Sequence, residues 1–284
     1  MKILALGCLH GRLHPKVKKF LKRKDIDLIL IAGDFGGGSF QGQVREYERV
    51  IVGKYGVMGE LWPKAVRKEY LKKVRIWQRK SAENSRRIFK QLKKLKKQVF
   101  YVHGNWDSIS GMRHTFESSG DFLIDKVKGK NLKFIHNKII KIDKYYILGF
   151  AGYRGTVMKE YLRDDIKGSK PSLQYIRKRE KIYRKKLDKL FKKVRDKSKI
   201  ILLTHDPPYY ALDYLKPRNK HYGEKITKDS INRYKPLLCI CAHFHEHQGM
   251  DKIGKTTIVN TGYGHGGKMA LIDLNGKMKI KIIK

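Results

Sequence analysis

Side chains able to bind metal stand at the ends of five apolar runs. His10 follows the run KILAL, inside the stretch LGCLHGRL. Asp34 closes DLILIAGD, Asn105 and Asp107 follow QVFYVHG, His205 follows KIILLT, and His243 and His245 follow LLCICA. Each alone has an ordinary explanation, a loop or core histidine, or Asp34 as a helix cap. Together they suit a pair of divalent cations. Two such cations about 3.5–4 Å apart need a bridging carboxylate within a mixed nitrogen and oxygen shell. So held, they clamp phosphate oxygens and make a shared water nucleophilic near neutral pH. Asp34 is the natural bridge and Asn105 a neutral oxygen donor, while the imidazoles are borderline donors for Mn, Fe, Co, Ni or Zn. His243 and His245 read as lying on a strand, whose period of two points both rings to one side. Where another carboxylate is expected, the chain has Cys8.

These groups converge only if the apolar runs are strands of common direction. MKILALG reads as a buried strand, HPKVKKFLKRKDI carries Val17, Phe20 and Leu21 at helical spacing, and DLILIAGD is a second buried strand. Strand, helix, strand within about 30 residues is a parallel crossover unit, and open α/β sheets bind ligands beyond the carboxyl ends of their strands. From Gly36 to Pro63 no element can be assigned. A long basic helix is expected over about 64–97, with Val74, Trp77, Ile88, Leu92 and Leu95 near one face. Residues 122–150 read as antiparallel strands and turns. A second long helix starts near Pro171, with Leu173, Ile176, Tyr183, Leu187, Leu190 and Val194 at threes and fours. KIILLTHD, LLCICAHFH, KTTIVNTG and KMALIDL complete a strand-rich end. Neither an internal repeat nor a Pro- or Ser-rich linker interrupts the chain, so one α/β domain over 1–284 is expected, with a helical insertion at about 39–97.

CLHG, GDFGG, GNWD, THDPP and AHFH, in this order, resemble the five blocks of the calcineurin-like metallophosphoesterase superfamily, over residues 1 to about 265. The resemblance implies a four-layer sandwich of two mixed β-sheets flanked by helices, here with long basic helices inserted. It also implies two divalent metal ions and hydrolysis of phosphomonoesters or phosphodiesters. By position, one ion would take His10, Asp34 and His245, and the other Asp34, Asn105, His205 and His243. Asp34, Asn105, Asp107 and His205 are the expected catalytic group, with Asp107 orienting the loop or Asn105.

Two residues depart from the family pattern. Cys8 replaces an aspartate of the first metal site. It is a ligand through its thiolate, softer than Mg or Mn prefers, or a bystander beside a weakened site, or the mark of an inactive relative. Trp106 replaces a histidine that many relatives place beside the leaving group, and an indole is no general acid at neutral pH. That biases the choice of substrate against poor leaving groups. Trp106 could stack on a base or simply pack beside Asn105. Arg154 in GYRGT is a candidate phosphate clamp, His265 in GYGHGG could approach a phosphate, and His103 could line the pocket. Cys239 and Cys241 read as core.

Charge is extreme: 66 Lys and Arg against 26 Asp and Glu give a net +40. Such a field attracts polyanions, although lysine-rich helix faces can also serve solubility alone. Hydrophobic residues make up 40% of the chain, enough to exclude a disordered polymer. No apolar run approaches the roughly 18–20 residues that cross a bilayer, and the start lacks a leader pattern. With three cysteines and no disulfide framework, a cytoplasmic protein is expected. The leading expectation is a metal-dependent phosphodiesterase acting on nucleotides or nucleic acid. A metal-impaired nucleic-acid-binding protein and a small-metabolite phosphomonoesterase are the alternatives. The sequence does not set the oligomeric state.

Overall fold

The computed structural model describes all residues except 37–38, 56–61, 106, 108–126, 128 and 153–172. Trp106, Arg154 and Pro171 therefore lie outside the described residues, as do the side chains of Val74, Trp77, Leu173 and Ile176.

Two mixed sheets face each other. The first has the order β14 (Lys279–Ile283), β13 (Met269–Asp273), β1 (Lys2–Leu6), β2 (Leu28–Ile31), β3 (Gln98–Tyr101) and β4 (Leu132–Phe134). β1 to β4 are mutually parallel, and β13 and β14 join antiparallel. The second has the order β11 (Gly249–Ile253), β12 (Thr256–Asn260), β10 (Leu238–Cys241), β7 (Ile200–Leu203), β6 (Tyr145–Gly149) and β5 (Lys138–Ile142). Its four central strands are parallel and its two edges antiparallel.

The central strands are unbroken apolar runs because both of their faces are covered. Ile3, Ala5, Leu28 and Leu30 point inward to meet Ile201, Leu203, Leu238 and Ile240 of the other sheet. Their neighbours Leu4, Leu6, Ile29 and Ile31 point outward, as the period of two requires. There they meet Val17 and Leu21 of α1 (Pro15–Leu21) and Ile88, Phe89 and Leu92 of α3 (Lys64–Lys93). On the far side, Ile200 and Leu202 pack against Leu187 and Phe191 of α4 (Leu173–Lys192) and Ile226 and Ile231 of α5 (Lys225–Tyr234). The result is the expected four-layer sandwich of helices, sheet, sheet and helices.

Several local readings change. The unassigned stretch after Gly36 contains α2 (Ser39–Tyr55), and Ile51 packs with Trp62 and Tyr70 in a small core of its own. α3 ends at Lys93, short of residue 97. Among the described residues of 122–150, β5 and β6 form an antiparallel pair of strands. β4 instead joins β3 in parallel, so the chain crosses between the sheets here. β14 and β11 carry lysines among their apolar residues, the pattern of edge strands, and sequence reading passes over them. None of the described helices is long and apolar enough to cross a membrane.

Candidate metal centre

The parallel strands of both sheets end on one rim, where backbone hydrogen bonds join the loops. The Cys8 amide donates to the Gly33 carbonyl (3.0 Å), the His10 amide to Asp34 (2.9 Å) and the Ala242 amide to His205 (2.9 Å). Gly7 allows this approach, since a Cβ there would lie 2.4 Å from the Ala242 Cβ. Four residues turn out of their strands in the left-handed region: Cys8 (φ 51°), His10 (φ 41°), Asp34 (φ 58°) and His243 (φ 68°). That region resists residues with a Cβ.

The turns bring the expected donors together. Asp34 Oδ2 lies 3.8 Å from His10 Nε2 and 3.4 Å from His205 Nε2. His10 Nε2 and His245 Nε2 face each other at 3.2 Å. On the other side of Asp34, His205 Nε2 lies 3.2 Å from His243 Nδ1 and 2.9 Å from Asn105 Oδ1. His10 Nδ1 lies 3.2 Å from the Gly36 carbonyl and His205 Nδ1 2.6 Å from that of Ala32. A proton on each Nδ1 makes these hydrogen bonds and turns the Nε2 atoms to the centre. Cys8 is fully buried, 4.0 Å from Asp34 Oδ2, and its sulfur accepts the His243 amide at 3.3 Å.

Three clusters could each hold a metal ion among the described residues: Cys8 with His10 and His245, Cys8 with Asp34 and His205, and His205 with Asp206 and His243. Asp206 is absent from the sequence expectations, although it follows His205 directly in THDPP. Its Oδ1 lies 3.7 Å from His243 Nε2. A carboxylate behind the far nitrogen of a ligand imidazole orients the ring and raises its basicity.

Protonation follows the charges. Burial lowers the pKa of His10, and burial with the nearby His10 lowers that of His245 to about 4, so both rings are neutral near pH 7. Burial opposes charge on His205 most strongly of any single cause, but Asp34, together with Asp206 and the Ala32 carbonyl, outweighs it and raises the pKa to about 9. Burial and Asp34 push the Cys8 thiol well above its ordinary range. Without a cation, one imidazolium thus lies against Asp34, and the thiol keeps its proton. The donor set fits a divalent cation, which would occupy the place of those protons.

Asp107 holds the frame. Its Oδ2 accepts the amides of Asp34 and Gly104 (both 2.8 Å), and its Oδ1 those of Phe35 (2.8 Å) and Gly36 (3.0 Å). Burial and the Asp34 carboxylate push its pKa up to about 7, against the pull of these amides. It thereby fixes the loop after β2 onto the loop after β3, a positioning role.

His265 Nδ1 lies 3.0 Å from the His10 carbonyl and 3.3 Å from that of Leu9, which places the ring against the backbone of the loop that presents His10. Tyr263, which sequence reading passes over, brings its ring within 4.4 Å of that of His245. His103 packs on His136 (4.7 Å) and Phe134 (6.2 Å). The expectation that His243 and His245 share a strand face is corrected. β10 ends at Cys241, His243 has left-handed backbone, and His245 opens a 3-10 turn.

A model of the family described as metallophosphoesterase, calcineurin superfamily, matches residues 1–283. An uncharacterized protein of Methanocaldococcus jannaschii is 24% identical over 271 residues, 92% of this chain and 87% of that protein. One crystal structure aligns over 100% of this chain and 99% of its own, at TM-score 0.62 and 18% identity. That of a dimetal phosphatase from Danio rerio aligns over 99% of this chain and 95% of its own, at TM-score 0.51 and 9% identity. At these identities the likeness to solved structures speaks for the fold.

Proposed function

Because this chain belongs to the metallophosphoesterases of the calcineurin superfamily, and so is a metal-dependent phosphoesterase, we propose that it cleaves phosphodiesters of nucleotides or nucleic acid with two divalent cations. The observation that carries the reading is the placement of Asp34. Its Oδ2 lies 3.8 Å from His10 Nε2 and 3.4 Å from His205 Nε2, between two pairs of imidazoles.

His10 and His245, with Cys8 beside them, would hold one cation, and His205, His243 and Asn105 the other, with Asp34 shared. Bound cations of this kind polarise a phosphate and make water nucleophilic near neutral pH. The chain itself orients the donors. Gly36 and Ala32 fix the imidazoles of His10 and His205 through their Nδ1 atoms. Asp206 supports His243, and Asp107 holds the backbone of Asp34. Asp34, Asn105 and His205 would act on the phosphate by holding these cations.

The choice of a diester rests on two features. Trp106 follows Asn105 where a protonatable ring would assist a poor leaving group, and a net charge of +40 draws polyanions to the protein. The raised pKa of Cys8 favours a metal soft enough to displace the thiol proton, Zn or Fe over Mg. The same reading takes residues 1–284 as one domain with α2 and α3 as an insertion, at work in a reducing cytoplasm.

Purified protein supplied with Mn or Zn should hydrolyse bis-p-nitrophenyl phosphate, and Asp34→Ala or His205→Ala should abolish this. Hydrolysis that survives both substitutions would overturn the assignment.

A further inference from the structure

After His205 and Asp206 the chain makes a loop that ends in a small hairpin, β8 (Tyr214–Leu215) and β9 (Lys220–His221), before entering α5. The loop carries aromatic rings, Tyr209 and Tyr210, four and five residues after His205. Tyr210 is 57% exposed, although tyrosine can bury a large area. Its backbone has φ 67°, in the region that bulky residues avoid. The Tyr210 ring lies 4.3 Å from that of Tyr209 and 4.3 Å from that of His221. Lys228 Nζ stands 4.5 Å over the Tyr210 ring, and Lys225 Nζ 4.6 Å over that of Tyr209.

A buried carboxylate holds this arrangement rigid. Asp213 Oδ2 accepts the amides of Tyr210 (3.1 Å) and Gly223 (2.7 Å). Its Oδ1 lies 2.6 Å from His221 Nδ1, which fixes that ring as well. A Cβ on Gly223 would lie 2.6 Å from Asp213 Oδ2 and 2.6 Å from the Pro208 carbonyl, so only glycine lets the strands close here.

One flank of the loop follows His205 in sequence, and the other reaches the turn that begins with His245. Tyr209 is four residues from His205, and Tyr210 five, so Tyr210 lies no farther than roughly 18 Å along the chain. The Tyr214 carbonyl is also hydrogen-bonded to His247 Nε2, in the turn that begins with His245.

We propose that Tyr209, Tyr210 and His221, with Lys225 and Lys228, form a platform that stacks the bases of a single-stranded nucleic acid and feeds its backbone to the metal centre. Flat rings accept any base by its face, and the lysines beside them meet phosphates. A duplex, whose bases are already stacked, gains nothing from such rings. This inference rests on the nucleic-acid reading above and narrows it to unpaired strands.

The test measures fluorescence anisotropy with the full chain in EDTA, so that cleavage does not intervene. The probes are labelled single-stranded DNA and RNA oligonucleotides, an abasic strand of equal length and a duplex. The wild type should bind both base-bearing single strands more tightly than the abasic strand or the duplex. Tyr210→Ala should weaken binding of the base-bearing strands roughly tenfold, within the range typical of one lost base–aromatic contact. Tyr210→Trp should restore it. Equal binding of abasic and base-bearing strands, or Tyr210→Ala indistinguishable from wild type, would overturn the platform. Wild-type hydrolysis of bis-p-nitrophenyl phosphate, measured in parallel, separates the two readings. Base-dependent binding without hydrolysis supports the platform and defeats the phosphodiesterase, and hydrolysis with no base preference does the reverse.

Discussion

Gly104 offers a sharp test of how closely the centre is built. It sits between β3 and Asn105, and a Cβ placed on it would lie 2.2 Å from Asp34 Oδ1, 2.5 Å from Asp34 N and 2.6 Å from Asp34 Cγ. Ordinary contact begins near 3.4 Å, so Gly104→Ala forces the two loops apart, or Asp34 aside, by about 1 Å. Overpacking of this kind costs roughly 1–3 kcal/mol of stability. A displacement of about 1 Å in a positioned catalytic group can lower the rate on the order of 100-fold. The carboxylate shared by both imidazole pairs is the group that moves, so the loss of activity should far exceed the loss of fold. The assay pairs turnover of bis-p-nitrophenyl phosphate with urea denaturation and with elemental analysis of bound metal. The expected outcome is a folded variant with lowered metal content and turnover reduced about 100-fold. Gly104→Ala with wild-type turnover and metal content would refute the claim that Asp34 is shared between the two halves. Loss of turnover through unfolding alone would refute the estimate of cost.

Cys8→Asp replaces a buried, protonated thiol with the harder donor that Mn prefers. The ratio of Zn-supported to Mn-supported activity should fall, and an unchanged ratio would make Cys8 a bystander. His136 gives a pH-dependent prediction for stability. Burial, reinforced by Lys186, lowers its pKa from 6.5 to about 4, so the fold prefers the neutral ring. Its contribution is fully present above pH 6.5 and is lost as pH falls from there through 4, up to about 3 kcal/mol. Urea titrations between pH 7 and pH 4.5 should show this loss. His136→Asn keeps an acceptor for the Ala151 amide and should flatten the profile by about one proton; an unchanged slope would contradict the assignment.

The sandwich could be read from the sequence because its central strands are apolar on both faces and five of them, β1, β2, β3, β7 and β10, end beside a potential metal donor. Ile3 to Leu6 and Ile200 to Leu203 signal burial wherever the chain is met. The edges could not be read so well. β14 mixes lysine with isoleucine, and β4 has three residues, so its parallel partner β3 is set by the crossing between sheets. The donors were legible by type, but their geometry was not. His243 and His245 reach their separate partners, His205 and His10, through a left-handed turn and a 3-10 turn, which no period-two rule foresees. Asp206 is not legible as a site residue, because a carboxylate directly after a histidine leaves no spacing of its own. The part of Asp107 in binding four amides of two separate loops exists only once β2 and β3 lie side by side.

The left-handed turns at Cys8, His10, Asp34 and His243 set firmness against chemistry. Each costs on the order of 1–3 kcal/mol in a residue that is not glycine, and the packed strands beneath absorb it. For the fold alone, glycine or asparagine would be the easier choice at all four positions. A version of this chain freed from any need to grip a phosphate would therefore gain rigidity by abandoning these side chains. In the proposed metal centre, their presence would make the rim the place where the molecule trades durability for reactivity.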